Sequence, residues 1–289
     1  MSVLILTNHE YNEYETSQLL DAFYRKGISS RICLFKYFDI VINDNIYYGG
    51  ERITLPKVVL VRLGAGISRA ELAIVRYFEL AGVFVINSSN SIDLVQDKFH
   101  TSELLNRAGI PVPTTMLAKY PITHDLVETH IGFPCIIKVT IGSFGVGVYM
   151  CQTKQEYLRV IEFANSLDES KVLIVQEYLG DHPGEDLRVF VIGGKVIGAM
   201  KRTAPAGDFR ANISHGGTGS KFELTPEIES LALATANALN LDIAGIDLLF
   251  DKRGFRVCEA NSNPGFMGFD KYCSTDIASV IADFIVDKL

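Results

Sequence analysis

The chain has 289 residues, 48% of them hydrophobic and 21% charged, with a net charge of −7. This is an ordinary soluble balance, with enough chain for two or three lobes around packed cores. No apolar run reaches the ~20 residues that span a bilayer, and an acidic chain lacks the clustered positive charge of nucleic-acid binders, so neither a membrane nor a nucleic acid is an expected partner.

The start, Met1-Ser2-Val3-Leu4-Ile5-Leu6-Thr7, has no basic n-region and reads as a first strand rather than a signal peptide. Glu15 to Lys26 carries Leu19, Leu20, Phe23 and Tyr24 at helical spacing and is closed by Gly27. Arg31 to Phe35 and Val58 to Arg62 are further strands, Arg69 to Leu80 is a helix, and Val83 to Ile86 a strand. This alternation predicts a parallel α/β domain over residues 1–90. Asn87-Ser88-Ser89-Asn90 reads as a polar linker, and a helix is expected from Ser91, its N-cap, to Gly109.

A second lobe is predicted over 91–183. Cys135 to Thr140 is a strand, Gly142 to Gly147 a glycine-rich loop, Val148 to Cys151 a return strand, Gln155 to Asn165 a helix, and Val172 to Leu179 a strand. The third lobe, 184–289, has strands at Leu187 to Ile192 and Lys195 to Lys201, then a polar stretch over 203–221. A helix follows, with Thr225 as N-cap and Pro226 and Glu227 in its first turn. The five cysteines (Cys33, Cys135, Cys151, Cys258, Cys273) show no CxxC spacing. They fit core thiols in a reducing cytoplasm and speak against a zinc site.

The chemistry concentrates in a hairpin of Ile243 to Asp251 and Phe255 to Ala260. A three-residue loop, Lys252-Arg253-Gly254, sets Asp251 opposite Phe255 and therefore Asp247 opposite Glu259, with Asn261 on the same face. Two carboxylates that close need a compensating cation. Mg²⁺ with a nucleotide fits such a set, and an exposed hairpin edge with solvated acids is the plain alternative. The glycine loop ends in no Gly-Lys-Ser/Thr and is not GxGxxG. Between two strands it is either a flap laying N–H groups over phosphates, with Lys138 just upstream, or a tight turn. Glu177 and Tyr178 end an apolar strand, as an adenine edge or an ordinary strand end. Arg210, within Gly207-Asp208-Phe209-Arg210-Ala211-Asn212, suits a transferring phosphoryl group or a surface salt bridge. His215-Gly216-Gly217 is a mobile or substrate-facing turn.

Seven pieces stand in one order: Asp97-Lys98; Ile137-Lys138 before Gly142 to Gly147; Val175 to Tyr178; Asp186-Leu187-Arg188; Gly207 to Asn212; Ala244 to Asp247; and Glu259-Ala260-Asn261-Ser262-Asn263-Pro264-Gly265. In this the chain resembles the ATP-grasp superfamily and, within it, the RimK-type amino-acid ligases, over nearly its whole length. The resemblance implies a pre-ATP-grasp α/β domain followed by two lobes that hold ATP between antiparallel sheets. Lys98 and Lys138 would contact phosphate, Glu177 and Tyr178 would border adenine, and Asp186 would face ribose. Arg210 and Asn212 would meet the γ-phosphate, making them catalytic with Lys138. Gly142, Ser143, Phe144, Gly145 and Gly147 would form a flap that closes and excludes water. Asp247, Glu259 and Asn261 would hold two Mg²⁺ or Mn²⁺ ions.

The implied reaction joins an amine, glutamate foremost, to a carboxylate through an acyl phosphate, with release of ADP and phosphate. The acceptor would be a protein C-terminus, a poly-glutamate chain or a small coenzyme. Thr140-Ile141 stands where the ribosomal-protein glutamate ligase would carry an acid, and Ser143-Phe144 is closer to ligases of small-molecule or carrier-protein acceptors. Val61-Arg62-Leu63-Gly64 resembles a family segment on the acceptor side, and Arg202 is the stronger candidate to grip a substrate carboxylate. A homo-oligomer is implied. A ligase acting on a precursor peptide, and a nucleotide-binding regulator without catalysis, are the alternatives.

Overall fold

The computed structural model describes residues 2–8, 13–63, 66–141, 147–168, 170 and 172–289. Its first part alternates strand and helix: Val3–Thr7 (β1), Tyr14–Arg25 (α1), Ser30–Leu34 (β2), Phe38–Ile40 (β3), Ile46–Tyr48 (β4), Glu51–Arg52 (β5), Val58–Val61 (β6), Arg69–Leu80 (α2) and Phe84–Ile86 (β7). Strands β1, β2, β6 and β7 form the expected parallel sheet, in the order β2-β1-β6-β7. The β3-β4-β5 sheet is antiparallel and was not anticipated. Its strands are two or three residues long, too short for a period-2 pattern to register.

Residues 87–90 are not a linker, and the helix after them is not continuous. Ser88 caps Ser89–Gln96 (α3), the helix breaks at Asp97, and Asp97 caps Lys98–Arg107 (α4). Asp97 Oδ1 accepts from the N–H groups of Phe99 and His100 at 3.0 and 3.1 Å. A polar run can be buried if every group in it is satisfied, and Asn87 meets that condition. Its Nδ2 donates to Ile243 O at 2.8 Å and Ser262 O at 2.7 Å, and its Oδ1 accepts from Asp242 N at 2.7 Å and Ile243 N at 3.0 Å. One side chain thereby ties the first sheet to the third lobe.

The second lobe contains Thr115–Lys119 (β8), His124–His130 (α5), Cys135–Val139 (β9), Val148–Cys151 (β10), Lys154–Leu167 (α6) and Val172–Glu177 (β11), in an antiparallel sheet ordered β10-β9-β11-β8. One face of it packs Ile137, Val175, Tyr157 and Ile161 into a core beneath α6. The third lobe contains Glu185–Ile192 (β12), Lys195–Thr203 (β13), Thr218–Phe222 (β14), Pro226–Ala238 (α7), Ile243–Asp251 (β15), Gly254–Asn261 (β16), Met267–Cys273 (α8) and Ile277–Val286 (α9). Its sheet is ordered β14-β13-β12-β15-β16. Leu187, Val189, Ile246 and Leu248 pack one face with Ile228 and Ala232 of α7. On the other face Phe190, Ile192 and Ile243 join Val3, Ile5, Leu19 and Phe23 of the first domain in a shared core with Ile281 of α9.

The hairpin register differs from expectation and then returns to it. The turn holds only Lys252 and Arg253, Gly254 pairs with Asp251, and Phe255 pairs with Phe250. That register alone would misplace Glu259. A β-bulge at Cys258 inserts one residue, and Asp247 pairs with Glu259 after all.

Asn87→Ala would orphan four backbone groups at the junction of the first sheet and the third lobe. It is expected to lower unfolding free energy by about 3 kcal/mol, read as a shift in the urea midpoint. A loss below about 1 kcal/mol would show that water or neighbours replace the clamp.

Candidate active site

A cavity opens between the second and third sheets. Ile136, Lys138, Val148 and Gln176 face it from one side, and Asp186, Arg202, Asp247, Leu249, Cys258 and Glu259 from the other. Strand alternation explains both sets. Ile137 and Val175 point into the core of their lobe, so Ile136, Lys138 and Gln176 point out of it. Cys258 and Glu259 are consecutive yet both reach the cavity, which alternation forbids except at the bulge.

The third-lobe floor is a row of charges set by register. Asp186 pairs with Arg202 across β12 and β13, Arg188 with Asp247 across β12 and β15, and Asp247 with Glu259 across β15 and β16. Arg202 grips Asp186 with two bonds, Nε–Oδ1 at 2.6 Å and Nη2–Oδ2 at 2.7 Å, and also reaches Asp247 Oδ2 at 3.0 Å. Arg188 holds Asp247 through Nε to Oδ1 and through Nη2 to Oδ2, the latter at 2.8 Å. Burial works against the charge on Asp247, but the two guanidiniums overcome it and hold its pKa down at about 2. Burial is the larger influence on Asp186 and raises its pKa despite Arg202. Arg202 is thus committed to two carboxylates of its own chain. Arg188, which carried no role in the sequence reading, is the second clamp on Asp247. The signal for it was the charge two places beyond Asp186, on the same face of a strand that is apolar from Val189 onward.

The donor set suits a divalent cation. Asp247 Oδ2 accepts twice but Oδ1 only once, leaving a lone pair on Oδ1. Asn261 turns its Nδ2 to Gly245 O at 3.3 Å and toward Glu259 Oε1 at 3.5 Å, so its Oδ1 is left to ligate. Lys98, at the first turn of α4, lies 3.8 Å from Glu259 Oε2, and its backbone N–H bonds Thr140 O at 3.0 Å. The helix break at Asp97 is what aims it there.

Lys138 is 6% exposed, and its side chain makes no ion pair or hydrogen bond among the described residues. A buried ammonium without a counter-ion is costly, and the site thereby asks for an anion opposite the metal-type ligands. Arg210 also lines the cavity and is turned onto Asp208, with Nε–Oδ1 at 3.1 Å and Nη2–Oδ2 at 2.8 Å. Hydrogen bonds from Arg210 hold the Asp208 carboxyl well below the usual range. Asn212 and Tyr178 line the cavity as well. Glu177 accepts from Thr114 N at 2.7 Å and from Arg256 of β16, so its side chain bridges the two lobes. Gly147 is at φ +73° with Val139 3.4 Å from where a Cβ would stand. Gly142, Ser143, Phe144 and Gly145 lie outside the described residues.

Two lobes clasping a cavity with a phosphate-type lysine on one wall and carboxylates on the other define the ATP-grasp class. The model of the RimK-like ATP-grasp domain matches residues 95–285, and that of the RimK PreATP-grasp domain residues 1–92. A probable alpha-L-glutamate ligase of Aliivibrio fischeri (strain MJ11) is 37% identical over 289 residues, 99% of this chain and 95% of that protein. One of the same description from Coxiella burnetii (strain Dugway 5J108-111) is 40% identical over 241 residues, 83% of this chain and 79% of that protein. A solved structure of the ATP-grasp ligase PsnB with minimal precursor, Mg and ADP superposes with TM-score 0.76 at 19% identity, over 99% of this chain and 97% of that one. The chain belongs to the RimK-like ATP-grasp family, and it is an ATP-dependent ligase of the carboxylate–amine type. Among the described residues no helix is long and apolar enough to cross a membrane.

Because its folded pKa lies below the unfolded value of ~3.9, Asp247 adds stability that is full above about pH 4 and lost as pH falls through about 2. Asp247→Asn strands Arg188 and takes one of Arg202's two carboxylates; it should cost about 3–5 kcal/mol, besides removing that acid limb from the stability–pH curve. Glu259→Gln should leave the melting temperature nearly unchanged and lower turnover at least about a hundredfold. Normal turnover in Glu259→Gln would remove Glu259 from the metal set.

Proposed function

We propose that the protein joins the α-amine of L-glutamate, or a similar amino acid, to a carboxylate acceptor. The choice of glutamate leans on the relatives' names. The ligase chemistry leans on one observation above all: a buried Lys138, whose side chain is unpaired among the described residues, lines the cavity across from Asp247 and Glu259. That opposition suits a polyphosphate held by cations on one side and an ammonium on the other.

In the first step an acceptor carboxylate oxygen attacks the γ-phosphorus of ATP. The bond to the β–γ bridging oxygen breaks and ADP leaves with the electron pair, giving an acyl phosphate. In the second step the amine attacks the acyl carbon, the carbon–oxygen bond to phosphate breaks, and the amine loses its proton as phosphate departs. Such transfers need positioning and charge neutralisation more than a covalent catalyst. Lys138 and Lys98 hold phosphate oxygens. Arg210 trades Asp208 for the γ-phosphate, and Asn212 lies beside it. Asp186, fixed by Arg202, keeps lone pairs for the ribose hydroxyls, and Glu177, fixed by Arg256, shapes the adenine end with Tyr178. Mg²⁺, as two ions or replaced by Mn²⁺, would be held by Asp247, Glu259 and Asn261 and would supply charge neutralisation at the transferring phosphoryl group. The acceptor is a protein C-terminus, a poly-glutamate chain or a small coenzyme. Thr140-Ile141 in place of an acid favours the last two.

Incubation with ATP, Mg²⁺, glutamate and a panel of acceptors should release ADP and add one or more glutamyl masses to one of them. Tight ATP binding without stimulated ADP release, whatever the acceptor, would sink the ligase reading and favour a nucleotide-binding regulator. Additions confined to a leader-bearing peptide, with free glutamate inert, would point to a peptide-modifying ligase. Lys138→Met should cut kcat about 10²–10³-fold while the unfolding midpoint holds or rises, because an unpaired buried charge is removed.

A further inference from the structure

Arg62 follows β6 at the carboxyl end of the parallel sheet, and its N–H bonds Leu6 O of β1 at 2.7 Å. The winding of the sheet reverses between these two strands, since β2 lies on one side of β1 and β6 and β7 on the other. In open parallel sheets ligands bind in that crevice, outside the carboxyl ends of the strands. Arg62 is 6% exposed. Among the described residues its guanidinium makes no ion pair and one hydrogen bond, from Nη2 to Pro264 O at 3.3 Å, and it lies 5.5 Å from the centre of the Phe266 ring. A guanidinium carries five N–H donors. Burial pushes its pKa down to about 10, against the pull of Glu15 and Glu13, so the site is short of an anion in direct contact.

A second orphan lies on the same loop. Among the described residues Asn263 Oδ1 is buried without a hydrogen-bond partner, next to the Pro264 whose carbonyl Arg62 contacts and two residues beyond Asn261. Buried acceptors are ordinarily satisfied. Under-used donors on Arg62 and an unused acceptor on Asn263 therefore both adjoin Pro264, three residues beyond Asn261. An α-amino acid presents the complement, a carboxylate and an amine one carbon apart.

We propose that Arg62 and Asn263 form the subsite for the amine-bearing substrate, with the α-carboxylate of an amino acid on Arg62 and its amine at Asn263 Oδ1, directed toward the acyl phosphate. This rests on the ligase reading above. It places the carboxylate that is never activated on the first domain, away from Lys138 and Arg210, and the reacting nitrogen on the loop that leaves the metal strand.

The test is steady-state kinetics of the full chain with ATP, Mg²⁺, the acceptor and either glutamate or its α-amide. Arg62→Met is expected to raise the KM for glutamate at least about thirtyfold, to leave the KM for ATP within about twofold, and to abolish the preference for glutamate over the α-amide. Arg62→Lys keeps the charge without the fork and should fall between; it serves alone if Arg62→Met does not fold. An unchanged KM for glutamate, or a rise confined to the carboxylate acceptor, overturns this subsite and leaves the ligase reading standing. A wild-type protein that turns over no amino acid overturns both.

Discussion

The site depends on a buried row of charges across the third sheet, in which Arg188 and Arg202 hold Asp247 while Arg202 also holds Asp186. Taking such groups out of water is expensive, and their mutual attraction repays it only when the geometry is good. Here the backbone register supplies that geometry, because the partners stand opposite one another on paired strands. The row keeps Asp247 ionised in a place where burial alone would neutralise it. Its rigidity also means that a cation or nucleotide meets side chains already in position.

The bulge at Cys258 is the second condition. A tight two-residue turn at Lys252-Arg253 starts β16 one place out of step with the face that must carry the acid. One unpaired residue brings it back before Glu259. The strand then serves two masters: Val257 and Ala260 pack under α7, and Glu259 and Asn261 belong to the polar face. Without the inserted residue one of these demands would fail, since a shift of one place exchanges the faces of a strand.

The other parts bring charge to that floor from elsewhere in the chain. The break at Asp97 starts a helix with Lys98 at its mouth. The Arg256 bridge to Glu177 spans the lobes at the far end of the cavity, and Asn87 and the shared core seat the first domain against the loop after Asn261. Arg210 is held by Asp208 in this state. A phosphate would compete with a neighbouring carboxylate for the same fork, which ties recruitment of the arginine to occupancy of the site.

Much of this was legible without a structure. The α/β alternation of the first domain, the cap at Thr225, and the metal-type trio with Lys138 and the phosphate-side residues follow from local periodicity and from motifs that stand in order along the chain. Asp247 opposite Glu259 was read correctly, but through a turn that the protein does not use. The compensating bulge lay beyond reach, because nothing in Val257-Cys258-Glu259 says which residue will go unpaired. Asn87 read as a linker because polarity marks exposure only on average, and its burial depends on four backbone groups more than 150 positions away. Spacing offered Arg202 as a candidate grip on a substrate carboxylate and gave no sign of its pairs with Asp186 and Asp247, which strand pairing sets. By itself the sequence determined the strand and helix pattern, because strand faces and helix caps are set by near neighbours, and seven motifs in order carried the resemblance that implied the fold class and the kind of ligand. Which charges neutralise one another, and which, like Lys138 and Arg62, are left without an ion pair among the described residues, was decided by strand order and domain seating, and those are non-local.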